Sequence, residues 1–355
     1  MRSPNGTVLG MGWRESVAVG ALLVFVAGCT AEPPPSPPSS TAPELPSGGW
    51  PVGEWPDGVD KGAVDKAVDE AFNDGEPLRV RAIVVVRQGK LVYQRYSTNP
   101  ADAQDALMPS YSVAKSITSA AAGLLVRDGK FDVHTPVRAP EWPPGDPRAG
   151  ITADHLLRMS SGLTWNEPID IAAATRSPDA AAFAAGQPLA TPPGTQFSYS
   201  TGSTFVLARA LQNAVGGGGA ELGDYLKREL FDPLGMTVTL TFDNAGNWLG
   251  GYGAAATPLD YAKFGELYRL GGEWRGTRIL PRDWVDYSRE PSTTSKIYGA
   301  GWWLDPDSPE AFAAIGFDGQ QVVVDLRHEL VVVITATDDE RSETLREKVV
   351  TEFAR

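Results

Sequence analysis

Apolar, β-branched runs stand near both ends of the chain: "VRAIVVVRQGKLVYQRY" (80–96), and then "AFAAIGFDG", "QQVVVDL" and "LVVVITAT" between 311 and 337. Runs of this kind form buried strands. From Ser112 to about Leu270 the spacing of apolar residues is helical instead. Strands drawn from two ends and helices from the middle constrain the fold class to α/β (α+β). The expected architecture is an antiparallel sheet from the N- and C-terminal segments, flanked by helices, with an inserted, mostly helical lobe. The expected division assigns 57–110 and 285–355 to the α/β lobe and 111–284 to the helical lobe. The cleft between the lobes is the default site.

Local signals fill in this frame. "VDKAVDEAFNDG" (Val64 to Gly75) predicts a helix with a glycine stop, and "RQGK" predicts a hairpin turn. Thr257 reads as an N-cap, with Pro258 in the first helical position and Asp260 placed to reach back to the backbone. "YGAGWWL" reads as a further strand and "SETLREKVVTEFAR" as a closing amphipathic helix. Gly216 to Gly219 follow a helical pattern rather than a strand, so they predict helix termination and not a nucleotide loop.

The N-terminus reads as an address. Arg2 and Arg14 precede an apolar run from Val17 to Val26, too short for a comfortable membrane span, and "VAGC" ends at Cys29, the chain's only cysteine. The pattern resembles a bacterial lipoprotein signal. That resemblance implies cleavage before Cys29, lipidation of its sulfur, and an extracytoplasmic chain anchored to the cell membrane. Residues 1–28 are then the signal peptide and 29–56 a tether, whose clustered prolines give an extended reach of roughly 50–80 Å. A lone cysteine excludes an internal disulfide.

Charge narrows the partners. A net charge of −13 repels phosphate backbones, and no basic run offsets it, so nucleic acid is excluded as a partner. The chain is expected to be a monomer.

The chemistry centres on "SYSVAKSITSAAAGLL" (110–125). Ser112 and Lys115, three apart on a helix, share a face. The spacing alone is weak, since roughly one such S-x-x-K arises by chance in a chain of this length. Two features strengthen it. Ser112 falls in the first turn, where unpaired amides favour a developing oxyanion. The surrounding helix is apolar and alanine-rich, which would desolvate Lys115. Desolvation matters because an ordinary lysine is neutral only about once in 2500 molecules at pH 7, a deficit of about 4.6 kcal/mol for a general base.

With "PPGTQFSYSTGSTFVLARAL" and "AAIGFDGQQVVVD" added, the residues resemble a family. It is the serine β-lactamase and penicillin-binding superfamily, in its class C, esterase and 6-aminohexanoate-oligomer hydrolase branch. The resemblance runs from about Val64 to the C-terminus and includes "ITADHLLRMSSGLTW", "DPLGM", "YGAGWW" and "GFDGQ" in order. It implies Ser112 as the acyl-enzyme nucleophile, Lys115 as its base or relay, and Tyr199 as the proton-shuttling tyrosine. Thr201 stands where the family usually has Asn. The family's Lys-Thr-Gly strand reads Ala314-Ile315-Gly316 here, which removes the cation and hydroxyl that greet a substrate carboxylate. Gly316 still permits close approach, and the resemblance implies that the amides of Ser112 and Phe317 form the oxyanion hole. The expectation is an esterase or amidase rather than an efficient β-lactamase, acting on a small-molecule or peptide-like acyl substrate. A slow penicillin-binding protein and a non-catalytic envelope lipoprotein remain as alternatives.

No metal or organic cofactor is expected. His134, His155 and His328 form no H-E-x-x-H, and no G-x-S-x-G occurs. His155 reads as a helix-start residue. Trp165, Asn166 and Glu167 read either as cleft rim or as loop packing. Of Trp302 and Trp303 only one can face the cleft, since strand side chains alternate; Gly316, Thr201, Trp165 and Trp302 are the expected substrate contacts.

Overall fold

A computed structural model describes residues 50–72 and 78–354. The leader, Cys29, the proline-rich segment up to Gly49 and Gly75 lie outside the described residues. Trp50 to Trp55, expected as the end of the tether, instead belong to the folded body. Leu91 N donates to Pro51 O and Gly53 N to Leu91 O, both at 2.9 Å. The Trp50 ring is buried edge-on against Trp274.

Helix α1 (Lys61–Ala71) starts earlier than expected because Asp60 accepts from the Ala63 amide and caps it. Its buried residues Val64, Ala67, Val68 and Ala71 repeat at helical spacing. Strands β1 (Val80–Arg87) and β2 (Lys90–Tyr96) form the expected hairpin. Its turn residues Gln88 and Gly89 have φ of 52° and 75°, the doubly left-handed turn that matches strand twist. Short β3 (Met108–Pro109) leads to α2 (Ala114–Arg127). The helical stretch continues with α3 (Ala153–Leu157), α4 (Glu167–Arg176), α5 (Ala180–Ala185), α6 (Thr201–Val215), α7 (Gly219–Leu226) and α8 (Asp232–Leu234). Then come β4 (Val238–Leu240), β5 (Ala254–Ala256), α9 (Pro258–Arg269), β6 (Glu273–Trp274), β7 (Thr277–Arg278) and α10 (Arg282–Ser288). Strands β8 (Trp303–Leu304), β9 (Ala311–Gly316), β10 (Gln320–Asp325) and β11 (Leu330–Ala336) precede the closing α11 (Asp339–Phe353). Asp338 caps that last helix by accepting from Arg341 N.

The main sheet has six strands in the order β2-β1-β11-β10-β9-β8. The two ends of the chain meet at the β1–β11 pair, where Val84 lies opposite Val333. Ile83, Val85, Val323, Val332 and Ile334 pack under α1 and α11, while Val84, Val86, Val322, Val324, Val331 and Val333 face the larger core. Both faces are covered, which is why these strands read as unbroken apolar runs instead of alternating ones.

One lobe assignment is corrected. Helix α9 falls within 111–284, yet it packs on β1, β10 and β11. Gly265 permits this, since a Cβ there would meet Val322 and Val331 at 2.8 Å. Its start is as expected, with Thr257 accepting from Asp260 N; the Asp260 carboxylate, however, turns to Thr237 N and Lys263 instead of back to the cap. Gly216, at φ 93°, ends α6 as the terminator the sequence indicated.

Helix α2 runs through the middle of the molecule. Every residue from Ala114 to Leu125 is buried. The fully buried Ile117, Leu124 and Leu125 each contribute roughly 1.5–3 kcal/mol. Its small residues admit close neighbours: a Cβ on Gly123 would lie 2.4 Å from the Trp284 ring. The central helix is therefore held rigidly from all sides at the boundary between sheet and helical lobe.

Candidate active site

Ser112 sits in a three-residue 3₁₀ turn, Tyr111–Val113, that runs directly into α2. Fully buried Ser110 fixes the approach. Its amide donates to Ala254 O at 2.8 Å, its hydroxyl accepts from Ala254 N at 3.3 Å, and the carbonyls of Tyr111 and Tyr252 lie within reach of the same hydroxyl. Tyr111 has φ of 42°, a left-handed conformation costing of the order of 1–3 kcal/mol in a non-glycine residue. The bend is stabilised by the bonds around Ser110, and it leaves Ser112 partly exposed at the mouth of the helix.

Lys115, one turn on, is 2 % exposed. Its Nζ lies 2.9 Å from Ser112 Oγ, 2.8 Å from Thr201 Oγ1 and 3.0 Å from Gly251 O. Burial pulls its pKa down to about 8, against the opposing pull of the Glu167 carboxylate, whose Oε1 is 4.0 Å away. Gly251 has to be glycine for this contact to form: a Cβ would come within 2.6 Å of the Thr201 methyl.

Tyr199 comes from the loop ahead of α6. That loop is stitched to the end of α3 by Ser198 N donating to Met159 O at 2.7 Å and Gly194 N to Ser160 O at 2.8 Å. His155 lies beneath it and also closes a capping box with Thr152, the helix-start role the sequence suggested. The Tyr199 ring is half-buried. Lys115 Nζ lies 4.8 Å from the ring centroid. Burial and then the Glu167 charge raise the phenol well above its ordinary value, while the nearby Ser112 hydroxyl pulls the other way.

On the opposite side, the end of β9 meets the Ser112 turn. A Cβ on Gly316 would sit 2.5 Å from Ser110 O and 3.1 Å from Ser112 N, so a glycine is needed for the strand to lie so close. Phe317 follows immediately, and its exposed ring packs edge-on against Tyr111 at 5.6 Å. Ser342 of α11 anchors the turn beyond by donating to Gly319 O at 2.7 Å.

A hydroxyl at a helix mouth, a buried amine against it, a phenol beside it and a glycine-ended strand across from it form one arrangement. The profile of the beta-lactamase family matches residues 78–354. The chain belongs to the beta-lactamase family. Solved structures of similar fold include one described as a 6-aminohexanoate-dimer hydrolase from Bacillus anthracis, with TM-score 0.69 and 21% identity over 86% of each chain. A β-lactamase from Bacteroides dorei aligns with TM-score 0.66 and 19% identity over 84% of this chain and all 100% of its own. A penicillin-binding protein homologue from Caulobacter crescentus gives TM-score 0.65 and 16% identity over 85% of this chain and 99% of its own. These likenesses establish the fold. No curated protein sequence matches the chain significantly.

Within this beta-lactamase-family frame, two expected substrate contacts, Trp302 and Thr201, are corrected. Trp302 is 0% exposed and packs in the core against Phe264, Tyr268 and Phe312. Its neighbour Trp303 is partly exposed and stacks on Tyr199 with ring centroids 5.3 Å apart. Thr201 is buried, with its hydroxyl between Lys115 and Glu167, so it belongs to the Lys115 pocket and not to an exposed surface. Trp165 lies against Gly202 and Phe205, and its indole N–H donates to Glu167.

Glu167 is thus a site residue. Sequence reasoning placed it only on a possible rim, because its link to Lys115 runs through Thr201, 34 residues away in sequence. Of the third motif, Gly316 lies directly against the Ser112 turn. Ala314 is buried in the large core and Ile315 packs on the far face of the sheet. Neither offers a cation or hydroxyl.

Proposed function

We propose that this chain is a serine hydrolase that moves an acyl group from an ester or amide onto Ser112 and then to water. The observation that supports this most is the pairing of an accessible hydroxyl with a dry amine 2.9 Å away, whose remaining partners are fixed. An amine of pKa about 8 is neutral in roughly one molecule in ten at pH 7, so the deficit falls from about 4.6 to about 1.4 kcal/mol.

In this reading neutral Lys115 takes the Ser112 proton as Oγ bonds to the carbonyl carbon, and the carbonyl electron pair moves onto oxygen. The Ser112 and Phe317 amides receive that oxyanion. Tyr199, held as a phenol, gives its proton to the leaving oxygen or nitrogen as the acyl bond breaks, and recovers one from the Lys115 ammonium. Water then attacks the acyl-enzyme; its proton passes to the same pair, and Ser112 regains its own as the acid departs. Because Ala314 and Ile315 supply nothing for a carboxylate, the favoured substrates are uncharged near the scissile carbonyl. A charge-assisted bond of about 1.5–3 kcal/mol is missing for penicillin-like substrates.

The test is Ser112→Ala in the full chain, assayed on a short-chain nitrophenyl ester with circular dichroism as the folding control. Hydrolysis should vanish, together with the fluorophosphonate adduct that the unaltered chain forms on Ser112. Undiminished turnover in the folded variant refutes the reading, as does failure of the unaltered chain to be labelled. Nitrocefin should turn over poorly beside the ester. We also propose lipid anchoring through Cys29: Cys29→Ala should abolish palmitate incorporation and release the chain from membranes.

A further inference from the structure

The base is surrounded by a closed set of donors and acceptors, and its directionality follows from counting protons. Thr201 has one hydroxyl proton, and that proton is donated to Glu167 Oε1. The other carboxylate oxygen, Oε2, accepts from Thr201 N at 2.9 Å and from the Trp165 indole. With its proton committed, Thr201 Oγ1 can only accept from Lys115, at 2.8 Å. Gly251 O, a carbonyl, can also only accept, at 3.0 Å. A neutral amine has two N–H bonds and one lone pair. Both N–H bonds are assigned to Thr201 and Gly251, and the third direction is the one that points to Ser112.

We infer that Glu167, acting through Thr201, is the positioning residue that aims the Lys115 lone pair at Ser112 and steadies the ammonium formed when Ser112 gives up its proton. This rests on the acyl-transfer reading above. Without a carboxylate at 167, the Thr201 hydroxyl is free to donate toward the amine. The lone pair then satisfies itself on Thr201, and Ser112 loses its base. Trp165 acts one step further back, fixing the carboxylate from behind.

The charged and titratable groups facing Lys115 are few. Among the described residues Glu167 is the carboxylate within 4.0 Å of Nζ. Tyr199 borders it from the loop before α6, with Tyr298 behind at 5.9 Å between ring centroids. The Gly251 loop contributes a neutral carbonyl, and Ser112 the nucleophile. Across the mouth, Asp318 is paired with Tyr111. The opposing pull of Glu167 on the lysine has a definite sign: it holds the ammonium form to higher pH. Its removal therefore moves the acidic limb of activity downward.

The experiment compares unaltered chain, Glu167→Gln, Thr201→Val and Thr201→Ser on a nitrophenyl ester from pH 5.5 to 9.5, with active sites counted by fluorophosphonate. Glu167→Gln should lower kcat per titrated site by ~10–100-fold with KM changed less than ~3-fold, and shift the acidic limb of kcat/KM down by ~1 pH unit. Thr201→Val should lose a similar factor, and Thr201→Ser, which keeps the hydroxyl, should recover most of it. An acidic limb that coincides in Glu167→Gln and the unaltered chain overturns the inference, whatever happens to the rate. Loss of folding in Glu167→Gln leaves the Val and Ser pair to decide: equal kcat in those two overturns it as well. An unaltered chain without esterase activity refutes the acyl-transfer reading itself, a different and separately visible outcome.

Discussion

The two walls that meet at Ser112 are built on opposite principles. On the base wall Lys115 and Thr201 are 2% and 1% exposed, and all three directions of the amine are taken up by defined partners. On the strand wall the residue beside the nucleophile has no side chain, and the next, Phe317, is 65% exposed. Its ring meets Tyr111 edge-on, and Trp303, on the neighbouring strand β8, stacks on Tyr199. A proton transfer depends on angles and distances to a fraction of an ångström, so its groups must be enclosed and mutually saturated. Recognition of an uncharged acyl chain needs apolar area and shape, which open rings and a bare backbone provide. Under the proposed acyl transfer, the chemistry lies on the enclosed wall and substrate choice on the open one.

The contrast breaks most visibly at Lys115. Replacing it by Met fills the buried volume with an unbranched apolar chain while removing the base. Ester turnover should fall by about 10³–10⁴-fold, and fluorophosphonate labelling of Ser112 should slow in parallel. Labelling at the original rate would place the activating group elsewhere. The strand wall should respond differently to Gly316→Val. The new Cβ would stand 2.5 Å from Ser110 O and force β9 away from the turn. A loss of about 10²–10³ in kcat is expected from a displaced oxyanion donor, with the pH limb unmoved because Lys115 and its partners are untouched. A shifted limb in Gly316→Val would show that the two walls are coupled.

How much of this was legible in the chain varied with the physics of each element. The sheet was readable because burial on both faces leaves continuous valine and isoleucine runs, such as Ile83 to Val86 and Val331 to Ile334, that few other structures tolerate. The nucleophile helix was readable from Ser112, Lys115 and the alanines around them, since dry packing of α2 demands small residues. Glu167 was not. Its function depends on a contact between the start of α4 and the start of α6, and nothing local to "WNEP" distinguishes a carboxylate aimed inward from one facing water. The lobe boundary misled for a related reason: α9 has ordinary helical spacing, and only the contact of Gly265 with Val322 and Val331 reveals that it belongs to the sheet.

The smallest expected effect on activity concerns the pair Trp302 and Trp303, where the sequence restricted the choice to one of two and could not go further. Alternation along an extended chain sends neighbours to opposite sides. At 302 the indole enters the α9 layer, stacked on Phe264 with centroids 5.8 Å apart. At 303 it covers Tyr199 and stands edge-on to Tyr298 at 5.0 Å. Trp302→Ala should therefore cost about 3–5 kcal/mol of stability, read as a lower denaturant midpoint, while any folded fraction keeps its kcat. Trp303→Ala should reverse the pattern, with stability changed by less than about 1 kcal/mol and KM for a nitrophenyl ester raised several-fold as the Tyr199 ring loses its cover. Equal destabilisation by both replacements would mean that Trp303 is core as well, and the aromatic character assigned to the substrate wall would then rest on Tyr111 and Phe317 alone.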